Sequence, residues 1–487
     1  MRRHPWLTAP ILFVVLCEAL YIAVEWHAES RWRHYAVEAQ ARGVKLYPAD
    51  FIRPEIPDAE NFAALPRFKN ALAAEKFKSP FILPSTPRST LPVGPAKAYL
   101  FDDGPPAFGN MRKGEKIDWQ AWRKYFLAVG FPTEASDDPV RDVLHALDHF
   151  APQFQEWSEW RTSRPRCQLP IGPVKGKGFY STIFADAAAF FRLRISAHLA
   201  DGDSATAYAD FQDGCQAPRA LKNELGLVNA VLRVGMMHFL LDAVGGGLQE
   251  HAWRDTELQK IERDLAALDL WEDYRASLAG ARGQLNQDIE TMMNQTIRER
   301  RRSRSYQLYF SDSWTVMLFQ IMPRSVFRDN ELRMNRYIDE LLAPGSRSVQ
   351  TFDPERKTPS SSTYLASAYD KRYYFLSDPA GKAYSFVGQR FLRLQTVVDQ
   401  ARLACALERF RLARGSYPAT LAELVPDFIM AMPRDIYSGT PYQYQRIGDS
   451  CFRLYGVSEN RTDDGGIGTR GDSPDAVWLY APRPPAP

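Results

Sequence analysis

Cysteine is scarce in this chain. Five cysteines in 487 residues are too few for the bridge-dense scaffolds that hold small secreted domains together. Net charge is nearly absent as well: 61 basic residues against 58 acidic ones leave +3, so no strong field draws in nucleic acid or acidic substrates. Catalytic signatures are missing. There is no zincin His-Glu-x-x-His and no Gly-x-Ser-x-Gly elbow. Gly172 to Gly178 alternates glycine with lysine, yet it lacks the Walker spacing and the hydroxyl residue after the lysine. Groups assembled from distant positions escape such a search, so an enzyme is disfavoured without being excluded. No repeat of fixed period is found, which argues against a tetratricopeptide array. A hydrophobic fraction of 45% and a charged fraction of 24% exclude a mostly disordered chain and a multispan membrane protein.

What is present begins at the amino terminus. Arg2, Arg3 and His4 precede an apolar run from Trp6 to Trp26, which as a helix covers roughly 30 Å, the thickness of a hydrocarbon core. Nine residues between Ile11 and Val24 are Leu, Ile, Val or Phe and together favour insertion by about 3–5 kcal/mol, against about 3 kcal/mol for Glu18 at the bilayer centre. Insertion wins by a small margin, helped by the flanking tryptophans as interfacial anchors. Only Cys17-Glu18-Ala19 approaches a signal-peptidase site, and cutting there would leave a very short apolar region, so an uncleaved signal anchor is expected. Cys17 also lacks the small preceding residues of a lipoprotein signal. The short basic start places the amino terminus in the cytoplasm and the bulk outside it, in the periplasm of a bacterial inner-membrane, single-pass protein. Glu18 reads either as a polar helix–helix contact in the bilayer or as a tolerated, snorkelling carboxyl. The absence of Gly and Pro after Trp26, through Arg42, predicts that the helix runs on until Gly43 ends it.

The remainder divides by composition. After the anchor and its extension (1–43), residues 44–116 are interrupted by prolines and read as an extended, wrapping segment with one short helix near Phe68 to Phe77. Residues 117–344 read as helices throughout: one capped by Asp118, one started by Asp138-Pro139, one from about Tyr180 to Leu199 with Ser204 capping the next. Asn223 to Val244 is nearly all apolar, yet Asn229, Arg233, His238 and Asp242 would cost more in lipid than its leucines return. It is expected to be a buried core helix stopped by Gly245-Gly246-Gly247. Two long helices follow, about Asp255 to Asn294 and Gln307 to Leu342, the second broken or kinked at Pro323. Residues 345–382 form a linker, 383–480 a separate α+β module, and 481–487 a disordered tail. The fold class expected is mainly α: a transmembrane helix, a multihelical bundle or irregular α-solenoid, and a small carboxy-terminal α+β unit with a three-stranded antiparallel sheet.

The carboxy-terminal unit is the most informative stretch. A helix from about Tyr384 to Arg414 ends at Gly415. A hairpin then pairs Pro441–Arg446 with Cys451–Val457, and a final strand covers Ala476–Tyr480. The string Ala406-Leu407-Glu408-Arg409-Phe410-Arg411-Leu412 with Gly415-Ser416-Tyr417-Pro418 resembles the helix end of type II secretion major pseudopilins. So do Pro433-Arg434-Asp435, then Ser438-Gly439-Thr440-Pro441-Tyr442-Gln443-Tyr444, and the closing Asp463-Asp464-Gly465-Gly466 loop. The resemblance covers roughly the last hundred residues, and the order of the motifs is more specific than any one of them. It implies the pseudopilin globular fold and an acidic loop that binds calcium, with Ser458, Asp463, Asp464, Asp472 and Asp475 as candidate ligands. Pseudopilins carry this module directly behind a membrane helix that opens with a Gly-Phe-Thr-Leu-Ile-Glu type motif. This chain has no such motif, and a multihelical stretch intervenes, so the resemblance bears on fold. The chain as a whole resembles uncharacterised bacterial membrane-anchored proteins of this layout, a likeness that implies no activity.

The loop also has a reading of its own. Four aspartates lie between positions 463 and 475 among four glycines; hard carboxylate oxygens on a flexible turn suit calcium, and equally suit a solvated turn whose aspartates cap backbone groups. It is not an EF-hand, because the Asp-x-Asp-x-Asp-Gly register and closing Glu are missing. Elsewhere, His145 and His149 stand four apart on one helix face, where a core or surface role outweighs a two-ligand metal clip. The cluster Arg298, Arg300, Arg301, Arg302 and Arg304 reads as a solvated face or a contact with anionic envelope polymer. Arg470-Gly471-Asp472 is too short a string to use. Cys167–Cys215 and Cys405–Cys451 are pairings that domain layout would allow in an oxidising compartment, and buried thiols are the alternative. The functional expectation is a membrane-tethered envelope protein of non-enzymatic binding or scaffolding type, with protein partners in the envelope, no nucleic acid and no cofactor beyond calcium. The alternatives are an enzyme acting on an envelope substrate in a cleft of the helical domain, or a component of a secretion or pilus-like assembly.

Overall fold

A computed structural model describes residues 5–66, 106–108, 116–131, 136–164, 166–169, 181–222, 224–296, 298–299, 322–343, 377–448, 451–466 and 476–480. The first helix, α1 (Pro5–Ala41), is unbroken for 37 residues despite Pro10, and Gly43 beyond its end takes φ +76°, the left-handed geometry that glycine adopts without penalty. Residues 44–66 then run as extended chain with two short 3-10 turns, Pro48–Phe51 and Phe62–Ala64. Phe62 is wholly buried and stacks on Trp160 with ring centroids 4.0 Å apart. The helix expected near Phe68 to Phe77 lies outside the described residues.

The helical body comprises α2 (Trp119–Ala128), α3 (Pro139–Asp148), α4 (Ala151–Thr162), α5 (Ser181–Ala200), α6 (Ser204–Gly214), α7 (Gln216–Ala220), α8 (Leu227–Gln249), α9 (Asp255–Ala266), α10 (Leu270–Asn294) and α11 (Arg324–Leu341). Asp118 and Asp138 cap α2 and α3 as their sequence positions require, accepting from Ala121 N and Val140 N. Three expectations are corrected. Asp203, not Ser204, caps α6, because its carboxylate reaches both Thr206 N and the Thr206 hydroxyl. The stretch from Asp255 to Asn294 is two helices, because Asp269 caps a new one through Glu272 N. Gly245-Gly246-Gly247 does not stop α8, which continues to Gln249. Of the helix expected from Gln307 to Leu342, residues 307–321 lie outside the described residues, and Pro323, where the sequence predicts a break or kink, stands immediately before α11.

The glycines of α8 are there for contact. A Cβ on Gly247 would lie 2.4 Å from Trp253 Nε1 and 2.6 Å from Leu199 Cδ1, and one on Gly245 would press on the Trp478 ring at 3.3 Å. The glycines let a tryptophan from the next turn and one from the final strand lie against the helix backbone. Gly247→Ala gains up to about 1 kcal/mol of helix propensity, but forcing the Trp253 ring aside costs about 1–3 kcal/mol. A net loss of stability is expected, measured as a lower denaturation midpoint without a change in slope.

α8 packs along both α5 and α12 (Ser377–Arg414), and α12 in turn packs along α9, α10 and α11. Its mean apolarity would suffice for a membrane span, yet half of its most apolar window is buried inside the protein, and its polar residues find partners there: Arg233 meets Asp273 at 2.5 Å. The helix is core, as its four polar residues imply. A small antiparallel sheet closes the chain in the order β1 (Gln443–Ile447), β2 (Cys451–Gly456), β3 (Ala476–Tyr480), with Tyr444 opposite Leu454 and Leu454 opposite Trp478. Along β2 burial alternates, turning Phe452, Leu454 and Gly456 inward. Residues 117–344 and 383–480 are distinct in sequence, but Leu240, Leu258, Leu403 and Trp478 belong to one continuous hydrophobic core.

Candidate functional site

The residues of α1 change character at Glu25. Before it, Ile11 to Val24 present large apolar side chains outward, Ile11 62% and Leu16 67% exposed, and Glu18 is among the exposed residues. After it, Ala28, Trp32, Tyr35 and Ala39 are buried, at the spacings of four, three and four that make one helix face. That face lies on α11, and polar groups flank it at every turn. Glu25 Oε1 accepts from Ser325 N at 3.2 Å and from the Ser325 hydroxyl at 2.9 Å. Arg31 pairs with Asp329. The Tyr35 hydroxyl donates to Asp339 Oδ2 at 2.9 Å, where Arg42 also bonds at 3.2 Å and Arg282 of α10 reaches the other oxygen at 2.7 Å.

Arg328 is the centre of this joint. Its nearly buried guanidinium bonds Glu29 of α1, Glu290 of α10 and Glu331 of its own helix, each at 2.7 Å. One positive charge cannot balance three carboxylates packed around it, of which Glu331 is wholly buried. Burial raises the Glu331 carboxyl, Arg328 opposes it, and Glu290 and Glu29 add to the rise, leaving it at about 8. Glu29, at the rim, is shifted the other way: burial raises it, but bonds from Arg328 and Arg33 outweigh that and hold it below the usual range. Beneath the charges, Asn286 and Asn335 exchange hydrogen bonds between α10 and α11, and Asn286 also donates to Leu46 O at 2.9 Å. The joint ties α1 directly to α11 and, through Arg328, Asp339 and Asn335, to α10. Its groups are packed into one another, so it is suited to hold and orient rather than to catalyse.

A second polar hub ties the carboxy-terminal unit to the body. Glu408, near the end of α12, is buried and accepts from Arg411 at 2.6 and 3.0 Å and from the Tyr417 hydroxyl at 2.7 Å. His251 Nδ1 lies 2.9 Å from Glu408 Oε1. His251 follows α8 with φ +52°, a left-handed geometry uncommon for a side-chain-bearing residue. Burial works to raise the Glu408 carboxyl, but its bonds from His251, Arg411 and Tyr417 outweigh it and bring it down to about 2. Arg409–Asp255 at 2.9 Å and Arg402–Glu262 at 3.0 Å complete the seam between α12 and α9. Asp435 of the Pro-Arg-Asp motif accepts from Tyr437 N and Val457 N, locking the turn onto the end of β2.

The five candidate calcium ligands divide. Asp472 and Asp475 lie outside the described residues. Of the other three, Asp463 Oδ1 accepts from Gly465 N at 2.9 Å, Asp464 Oδ2 from Asn460 Nδ2 at 2.8 Å, and Ser458 O from Arg461 N at 3.0 Å. Gly465 and Gly466 take φ +81° and +60°, and a Cβ on Gly466 would meet the Tyr455 ring at 2.5 Å, so the glycine pair folds the loop tightly onto β2. Among the described residues no group of three or more His, Cys, Asp or Glu is gathered as a metal site. His149 sits edge-on to the Phe131 and Phe150 rings, which is packing. All five cysteines are free thiols; burial pushes Cys167 and Cys215 up to about 12, so neither offers a thiolate at neutral pH. Arg300 to Arg304, Arg470 to Asp472 and the glycine–lysine run lie outside the described residues.

Arg328, Glu331, His251 and the partners of Glu408 were not legible as a site from the sequence. The available signal was charge at positions where helical spacing calls for burial: Arg328 and Glu331 alternate with Phe327, Leu332 and Met334, all buried. No family model, no curated protein and no solved structure matches the chain.

Proposed function

We propose that this chain is a single-pass, membrane-tethered protein of the bacterial envelope whose large helical body, outside the cytoplasm, binds or organises other proteins. The observation that carries the reading is α1: an outward-facing apolar stretch that passes without a break into a helix face clasped by α11. A lone span with an unsupported stalk would let the body tumble. A span welded to it through Arg328, Asp339 and Trp32 fixes how the body stands on the bilayer, which suits a protein that presents a surface to partners. A role in a secretion or pilus-like assembly is the second reading, supported by the motif order of residues 406–466, in which Glu408 accepts from Tyr417 and Asp435 accepts from Val457 N.

Fractionation of cells carrying the full-length chain tests the tether. The protein is expected in the membrane pellet after carbonate washing and to be released only by detergent, with the body degraded by protease added to spheroplasts. A freely soluble cytosolic product would overturn the reading. Affinity capture from detergent-solubilised membranes then distinguishes a scaffold from a pilus-like component by the partners retained.

A further inference from the structure

A cleft of about 370 Å³ opens where the extended 44–66 stretch, α4 and α7 meet. Arg53, Arg166 and Arg219 line it, and among the described residues no carboxylate does. Arg53 and Arg166 are tethered from outside the lining by Glu224 at 3.7 Å and Glu60 at 3.1 Å. Arg219 is exposed and forms no ion pair with a described residue. The wall is built in advance: Gln168 Oε1 accepts from Ile56 N at 2.8 Å, and Asn61 bonds the Gln168 backbone at 3.0 and 3.1 Å. Two neutral donors complete it. Trp160, also lining the cleft, is 1% exposed, and its indole N–H has no acceptor among the described residues; its neighbour Trp157 donates to Asp213 O at 2.6 Å. Gln216 is buried, and its amide makes only a long bond of 3.4 Å to Gln212 O.

We propose that this cleft is a binding site for a small organic anion, whose phosphate or carboxylate group is held by Arg166 and Arg219 with the Trp160 indole and the Gln216 amide as neutral donors. Guanidinium groups favour such oxyanions because their N–H fork matches two oxygens at once. The volume sits near the lower end of small-molecule sites, roughly 300–1,000 Å³, and exceeds what a bare ion needs, so the anionic group belongs to a larger molecule. A buried donor without a partner is costly, and a ligand oxygen facing Trp160 removes that cost. Burial keeps Cys167 on the cleft wall protonated, so its thiol adds no negative charge to oppose an anion. The inference stands whether or not α1 spans a membrane.

Calorimetry on the full-length chain in detergent tests it, titrating inorganic phosphate and citrate separately at matched ionic strength in chloride. Saturable binding with a submillimolar dissociation constant is expected for at least one probe, and the stronger of the two identifies the oxyanion as phosphate or carboxylate. Arg219→Gln and Arg166→Gln are each expected to weaken it about tenfold, while Arg414→Gln, an exposed and unrelated change at the end of α12, leaves it unaltered. Trp160→Phe removes the indole donor with little change of shape and is expected to weaken binding several-fold. Circular dichroism and thermal melting establish that each variant is folded. No saturable heat from either probe, binding that survives both arginine changes, or an equal loss in Arg414→Gln would overturn the proposal.

Discussion

Replacing Arg328 with methionine is expected to cost about 3–5 kcal/mol, the usual penalty for removing one member of a buried ionic cluster. The loss comes less from the missing attraction than from what stays behind. Glu29, Glu290 and Glu331 would face one another with no cation among them, and α1 would lose its hold on α10 and α11. Denaturant unfolding would show the lower stability, and limited proteolysis would show early cleavage between α1 and the body. The protonation of Glu331 adds a second test. Its carboxyl is raised from about 4.5 to about 8, so the folded protein holds a proton that the unfolded chain releases. Stability from this group is complete below about pH 4.5 and declines as pH rises through about 8. Glu331→Gln fixes the neutral form in both states, so it is expected to be nearly silent near pH 4 and to become progressively more stable than the parent chain as pH rises from about 4.5 towards 8. A difference between the two that does not widen over that range would show that the carboxylate, not the acid, is the folded form.

Glu408→Ala is the second large effect, also expected at about 3–5 kcal/mol. It strands the buried Tyr417 hydroxyl and removes the anchor of Arg411 and His251, each of which loses a charge-assisted or buried bond. The pH dependence has the opposite sign from that of Glu331. With the folded carboxyl near 2 and an unfolded value near 4.5, the stabilisation is present above about pH 4.5 and lost as pH falls towards 2. The gap is worth up to about 3 kcal/mol at 1.36 kcal/mol per unit. Urea midpoints measured from pH 7 down to pH 3 should fall in the parent chain and fall less steeply in Glu408→Gln. Parallel curves would mean that other carboxylates dominate the acid limb. The two glutamates act in opposite directions: Glu408 weakens the fold as pH falls below about 4.5, and Glu331 weakens it as pH rises from about 4.5 to about 8.

How far the sequence could be read depended on the distance between the residues involved. Caps and helix faces are local, and Asp118, Pro139 and Gly43 stand where their chemistry requires. The antiparallel strands were within one or two residues of their place because the turn residues at Gly448 lie between them in the chain. Errors arose where a residue's purpose is a distant contact. Gly245-Gly246-Gly247 reads as a stop by propensity, yet it is an approach surface for Trp478, more than two hundred residues later. Ser204 and Asp203 are equally good caps by composition, and the Thr206 hydroxyl decided between them. The acidic loop was visible as a motif, but its described aspartates engage a backbone amide and an asparagine of their own loop, a use that composition could not separate from metal binding.

From the amino acids alone came the features that need only hydropathy, spacing and near neighbours: one long apolar helix at the start, a mainly helical body, a buried α8 and a terminal three-stranded sheet. Which charges meet was settled only by folding. Arg328 finds Glu29 across nearly three hundred residues, His251 finds Glu408, and three arginines gather around Trp160. Water screens those partners from one another in the unfolded chain, and packing alone brings them to distances where their charges dominate.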